Sequence, residues 1–115
     1  MFITYSAVTG VTIAANGFEA VANFARARFV VANSAETGVP LSWLPMLGAM
    51  KGAGAAGLLL GLLGVRFIGI AAAIGLVLFF IGAVTAHVRA RVFHNIAFPG
   101  AFLALAVGSL VLAIV

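Results

Sequence analysis

The stretch FITYSAVTGVTIAANGFEAVANF, from Phe2 to Phe24, decides how this chain folds. In it and just beyond it, Tyr5, Thr9, Thr12, Asn16, Glu19, Asn23 and Arg26 follow one another at spacings of 4, 3, 4, 3, 4 and 3. That rhythm puts all seven on one face of an α-helix. The residues between them, including Ile3, Val8, Val11, Ile13, Phe18 and Val21, are mostly apolar. Such a helix cannot turn its polar seam toward lipid tails, because each unpaired polar group in hydrocarbon costs several kcal/mol. The seam must face other helices, water or a ligand.

Composition sets the surroundings of this helix. The chain has 115 residues, of which 65% are hydrophobic and 7% charged, and its mean hydropathy is +1.32. A soluble domain of this length needs a polar surface that these residues cannot supply. The sequence therefore reads as an all-α integral membrane protein. A span needs about 20 apolar residues, so four spans use most of the chain and leave only short loops. The absence of cysteine excludes disulfides, thiolate catalysis and iron–sulfur ligation by this chain. The N-terminal run lacks a basic n-region and an A-x-A cleavage site, so it reads as the first span and not as a removable signal.

Four spans are expected, at about residues 2–24, 41–63, 67–86 and 96–115, forming one domain. Ala25 to Ala32 extends the first helix or lies along the interface, and NSAETGVP, Asn33 to Pro40, reads as a loop broken by Gly38 and Pro40. Ser42 can cap the second span, Pro45 suits a first turn, and Trp43 sits where an interfacial anchor belongs. Gly48-x-x-x-Gly52 and Gly57-x-x-x-Gly61 are close-packing signatures. The short connections make sequential neighbours antiparallel, giving an antiparallel four-transmembrane-helix bundle. Arg26, Arg28, Arg89 and Arg91 gather at one end and Arg66 stands at the other. By the positive-inside rule the first and third loops are cytoplasmic and both termini lie outside.

Lys51 is the other unusual residue, near the middle of the second span. A central lysine costs about 2.5–3.5 kcal/mol on insertion scales, so it needs a partner. Glu19 is the candidate: with a rise of 1.5 Å per residue, the two differ in depth by less than roughly 8 Å, a gap a lysine side chain can bend across. Asn16 and Asn23, one turn either side of Glu19, can complete the hydrogen bonding. His87, Arg91 and His94 share a face if the third helix continues, and Arg89 points elsewhere. The candidate catalytic residues are Glu19, Lys51 and His87; the candidate ligand-binding residues are Tyr5, Thr9, Thr12, Asn16, Asn23 and Arg89. Each also has a plain structural reading: interhelical hydrogen bonds for the seam, a buried ion pair for Glu19 and Lys51, a headgroup contact for His87. No metal site is expected, since two histidines without cysteine and with few carboxylates make a poor ligand set.

The runs LSWLPMLGAMKGAGAAGLLLGL, GIAAAIGLVLFFIGAVTAHVRAR and AFPGAFLALAVGSLVL resemble the DoxX-like family of small four-span bacterial membrane proteins. Lys51 in the Gly/Ala-rich span, the AHxRAR end of the third span (Ala86 to Arg91) and Pro99 opening the fourth carry the resemblance. It implies a bacterial inner (cytoplasmic) membrane. Founding members of the family are subunits of a quinone-linked thiosulfate oxidoreductase and relatives are linked to redox-stress complexes, so the resemblance also admits a quinone, although no cofactor is required. Without cysteine, a thiol relay within this chain is impossible.

Three functions fit these residues. One is a membrane protein that holds a lipophilic molecule with a polar head (quinone-, isoprenoid- or polyketide-like) inside the bundle. A second is an enzyme doing acid/base isomerisation, cyclisation or epoxide opening, with Glu19 as proton carrier and Lys51 or His87 as partner. The third is a structural subunit of a membrane redox complex, or a homo-oligomer, whose seam packs on a partner. Nothing points to nucleic acid: the net charge of +4 reads as membrane topology.

Overall fold

The computed structural model describes residues 2–115. Five α-helices, α1 (Phe2–Phe24), α2 (Arg28–Thr37), α3 (Leu44–Leu62), α4 (Arg66–Arg89) and α5 (Ala97–Ile114), follow one another, with a 3-10 turn over Leu41–Trp43 before α3. Among the described residues there is no strand. Three stretches are long and apolar enough to cross a membrane: Leu41–Leu62, Arg66–Arg89 and Ala97–Ile114. α1 falls outside that group because its seam dilutes an otherwise apolar helix.

The packing is inverted relative to a soluble protein. The largest fully buried side chains are polar: Asn16, Asn23, Thr9, Thr12 and Ser109. Bulky apolar residues such as Phe2, Ile3, Phe67 and Ile114 lie on the outside. That is the arrangement a hydrocarbon solvent favours, since lipid tails gain nothing from hiding leucine but exclude unpaired amides. The seam of α1 thus turns inward at Thr9, Thr12, Asn16 and Asn23. Thr12 Oγ1 donates to its own helix at Val8 O (2.8 Å) and lies 3.0 Å from Ser109 Oγ on α5.

Arg26 leaves the seam, contrary to the periodic reading. α1 stops at Phe24, and Arg26 adopts a left-handed backbone with φ 53°. The Ala27 amide then bonds Ala22 O and the Arg26 amide bonds Asn23 O, the paired hydrogen bonds that close a helix end. Arg91 repeats this after α4 with φ 56°, as the Val92 amide bonds His87 O and the Arg91 amide bonds Val88 O. The α4 helix therefore ends at Arg89, and His87, Arg91 and His94 do not share a helical face.

The expected loop over Asn33 to Pro40 is instead helical through Thr37. Gly38 ends α2 with φ 75°, its amide bonding Ser34 O. Val30 docks α2 onto Ala22 and Leu44 in a small apolar cluster. At the start of α3, no side chain caps the helix and Ser42 lies in the 3-10 turn, while Pro45 sits in the first turn as its fixed φ favours.

α1 packs on α3, α3 on α4, α4 on α5, and α5 back on α1. Both glycine motifs serve these internal contacts. Gly48 and Gly52 face Ala20 of α1, whereas Gly57 and Gly61 face Ala72 and Gly69 of α4. At Gly61 a Cβ would stand 2.7 Å from Gly69 Cα, a backbone atom that cannot yield; at Gly52 it would meet only Ala20 Cβ at 3.6 Å, an ordinary contact. A larger apolar cluster of Leu58, Ala73, Leu76, Phe80 and Ala106 joins α3, α4 and α5. At the far end, Arg66 donates to the carbonyls of Ala113 (3.0 Å) and Ile114 (3.3 Å), tying α4 to the last turn of α5.

The two motifs give a paired test. Gly61→Ala should destabilise the protein by about 1–3 kcal/mol through overpacking, while Gly52→Ala should stay within about 0.5 kcal/mol of wild type. Thermal unfolding in detergent distinguishes them, and equal effects would show that the α3–α4 approach is looser than described.

Candidate functional site

α1 and α5 meet through Val8, Thr12 and their partners. Val8 meets Gly108, and Thr12 meets Ser109 and Leu105. Toward α2, Val11, Ala14, Ala15 and Phe18 of α1 and Phe98, Pro99 and Phe102 of α5 instead line a cavity of about 1090 Å³, which α3, α4 and α2 complete. That volume suits a small-molecule site, in which apolar walls surround a few placed polar groups. The walls are rich in aromatic rings: Phe18, Phe29, Trp43, Phe79, Phe80, Phe98 and Phe102.

One polar wall is built by α1 and α3. Glu19 Oε2 lies 3.5 Å from Lys51 Nζ, both side chains being largely buried. Lys51 Nζ also donates to Asn23 Oδ1 at 3.3 Å, and it stands 5.6 Å from the centre of the Phe79 ring. A carboxylate, an amide oxygen and an aromatic face thus lie around the ammonium. Asn23 in turn donates through Nδ2 to Leu44 O at 3.2 Å, fixing the amide between α1 and the start of α3. Glu19 Oε1 makes no hydrogen bond among the described residues.

A second polar wall joins α2 to α4. His87 is buried; its Nδ1 lies 3.0 Å from Ala83 O and its Nε2 2.9 Å from Asn33 Oδ1. Asn95 donates to the same Asn33 oxygen at 3.3 Å. Outside the cavity, the exposed His94 Nε2 lies 2.6 Å from Glu36 Oε2 and clips the end of α2 to the α4–α5 connection. The two histidines therefore have separate partners and do not converge on one point.

The structure brings Glu19, Asn23, Lys51 and His87 to the cavity. It leaves the other candidate residues elsewhere. Thr9, Thr12 and Asn16 are buried but outside the cavity wall: Asn16 Nδ2 donates to Thr12 O at 3.0 Å, and Thr9 Oγ1 and Asn16 Oδ1 have no protein partner. Tyr5 lies at the opposite end, beside Gly61 and Arg66 in a hollow of about 260 Å³. Arg89 is exposed and does not line the cavity.

Asn33 and Asn95, the partners of His87, were not singled out by sequence reasoning, nor was α2. A signal existed. Val30, Asn33, Ser34 and Thr37 recur at i, i+3, i+4 and i+7, all four lining the cavity. Three of them are polar, so no apolar stripe advertised the helix.

Apolar exterior, buried polar seam and polar-ended cavity define a small α-helical membrane protein. The chain belongs to the DoxX-like family, whose profile matches residues 7–109. Neither a curated protein nor a solved structure matches it.

Breaking the α1–α3 pair should be costly from either side. Glu19→Gln and Lys51→Met should each destabilise by about 3 kcal/mol, because each leaves a charge without its partner in a low-dielectric interior. The double variant should recover most of that loss. A double-mutant cycle by denaturant unfolding reads the coupling; additive losses would show that the two side chains do not depend on each other.

Proposed function

We propose that this protein is a membrane protein that binds a lipophilic molecule with a polar head, held in the cavity between α1, α2, α3, α4 and α5. The observation that carries this reading is the cavity itself: about 1090 Å³, walled by aromatic and aliphatic side chains, with Glu19–Lys51 on one side and His87–Asn33 on another. Apolar walls favour a tail through area removed from water or from a crowded headgroup region. The polar walls fix a head, and quinone-, isoprenoid- and polyketide-like molecules share that form.

In this reading α1 is a fourth span. Its exposed face carries Phe2, Ile3 and Val21, which suit acyl chains. Contacts run in opposite senses along each neighbouring pair, as in Gly48 near Asn23 but Gly61 near Tyr5, which supports an antiparallel four-helix bundle. Arg26, Arg28, Arg89 and Arg91 flank the end where α2 lies, and the basic end belongs on the cytoplasmic side of the inner membrane. α2 then rests at the cytoplasmic interface with both chain termini outside.

Extraction of the purified protein followed by mass spectrometry should yield a lipophilic species in near-stoichiometric amount. Phe102→Trp, which narrows the cavity, should lower its occupancy at least about fivefold without loss of folded protein. Membrane lipid alone in both samples would count against the reading. A reporter active only in the cytoplasm should stay silent when fused to the C-terminus, and activity there would reverse the orientation.

A further inference from the structure

We infer that the head group of the bound molecule is an uncharged hydroxyl, an alcohol or a phenol, which donates its hydrogen to Glu19 Oε1. The inference rests on the cavity being a lipophile site, and it follows from counting which polar atoms on the α1–α3 wall remain free. Lys51 Nζ already has two partners, Glu19 Oε2 and Asn23 Oδ1, with the Phe79 ring beside it. Asn23 is occupied at both ends, its Oδ1 by Lys51 and its Nδ2 by Leu44 O. Glu19 spends Oε2 on Lys51 and keeps Oε1 without a protein partner among the described residues, on a side chain that lines the cavity. A carboxylate oxygen offers only lone pairs, so the group that meets it must bring a hydrogen.

Charge narrows the choice further. The chain has two acidic residues; Glu19 faces Lys51, and Glu36 faces His94 outside the cavity. The Glu19–Lys51 wall is therefore balanced. An anionic head would meet the free carboxylate oxygen with no spare ammonium to offset it. A cationic head would bring a second positive charge beside Lys51. In a low-dielectric site either excess charge is costly. A neutral hydroxyl avoids both costs and gains a charge-assisted O–H···O hydrogen bond.

The chain's single tryptophan, Trp43, lines the same cavity and serves as the sensor. The probes are undecyl chains brominated at the far end, whose bromine quenches tryptophan on contact, and which differ only in their head: hydroxyl, carboxylate, ammonium or plain hydrocarbon. In lipid nanodiscs, the alcohol should quench at about tenfold lower concentration than the hydrocarbon, the ratio one charge-assisted hydrogen bond gives, and the two charged chains should rank below the alcohol. Glu19→Gln should bring the alcohol to within about twofold of the hydrocarbon. Equal quenching by all heads, preference for a charged head, or an alcohol preference that survives Glu19→Gln would overturn the hydroxyl assignment while leaving a lipophile cavity intact. Absence of quenching by every probe would overturn the cavity reading as well. The head-group ranking in the unaltered protein decides the matter even where the variant does not fold.

Discussion

Lys51 sits in the middle of an apolar helix, and everything around it is arranged to make that tolerable. Its ammonium meets a carboxylate, an amide oxygen and an aromatic face. To supply the first two, α1 must present Glu19 and Asn23 to α3, which fixes its rotation about its own axis. That rotation buries Asn16, Thr12 and Thr9 along the same side. The opposite side, with Ile3 and Val21, is then left exposed. A single intramembrane charge thereby determines which face of the neighbouring helix is inside, and its pull reaches as far as the Thr12–Ser109 contact with α5. Small residues make the approach feasible: Gly48 and Gly52 let α1 lie close against α3, while Gly57 and Gly61 do the same for α4.

The cavity is a by-product of uneven closure. α5 is drawn to α1 where Thr12 and Ser109 meet, yet the two helices carry no such pair nearer α2. There, phenylalanines occupy the space, and rings on opposite walls do not interlock into a solid core. Phe80 reaches Phe102 with centroids 5.2 Å apart, and Phe79 lies 4.9 Å from Phe80, but Phe18 stacks on Phe29 of α2 at 6.2 Å. α2 covers this open end and is held there by directional bonds, from His87 to Asn33 and from His94 to Glu36.

Much of this was legible from residue order. Spacing alone placed the seam of α1 inward, because only one face of a lipid-embedded helix can hold polar groups. The depth of Glu19 and Lys51 brought those two together before any contact was seen. What stayed hidden had physical causes. The helix α2 uses polar residues on its inner face, so hydropathy reads it as loop. Asn33 and Asn95 depend on tertiary placement, being 62 residues apart in the chain. Arg26 continued the numerical rhythm of the seam, but periodicity carries no information about where a helix ends. Tyr5, Thr9, Thr12 and Asn16 share the seam with Glu19, but the cavity runs along the adjoining face of Val11, Ala14, Ala15 and Phe18 and meets the seam only at Glu19 and Asn23.

The left-handed residues after α1 and α4 are arginines, Arg26 and Arg91. Most helices give that place to glycine, since a side chain there is strained by about 1 kcal/mol. The backbone closure that holds each arginine is also the last bonded turn, so the guanidinium is carried at one fixed place on its helix. Each arginine therefore places its charge at a fixed height at one end of its helix. With two helices closed in this way at the same end, Arg26 and Arg91 hold their charges at set heights relative to Glu19 and His87, so any anionic surface they meet is met in one register.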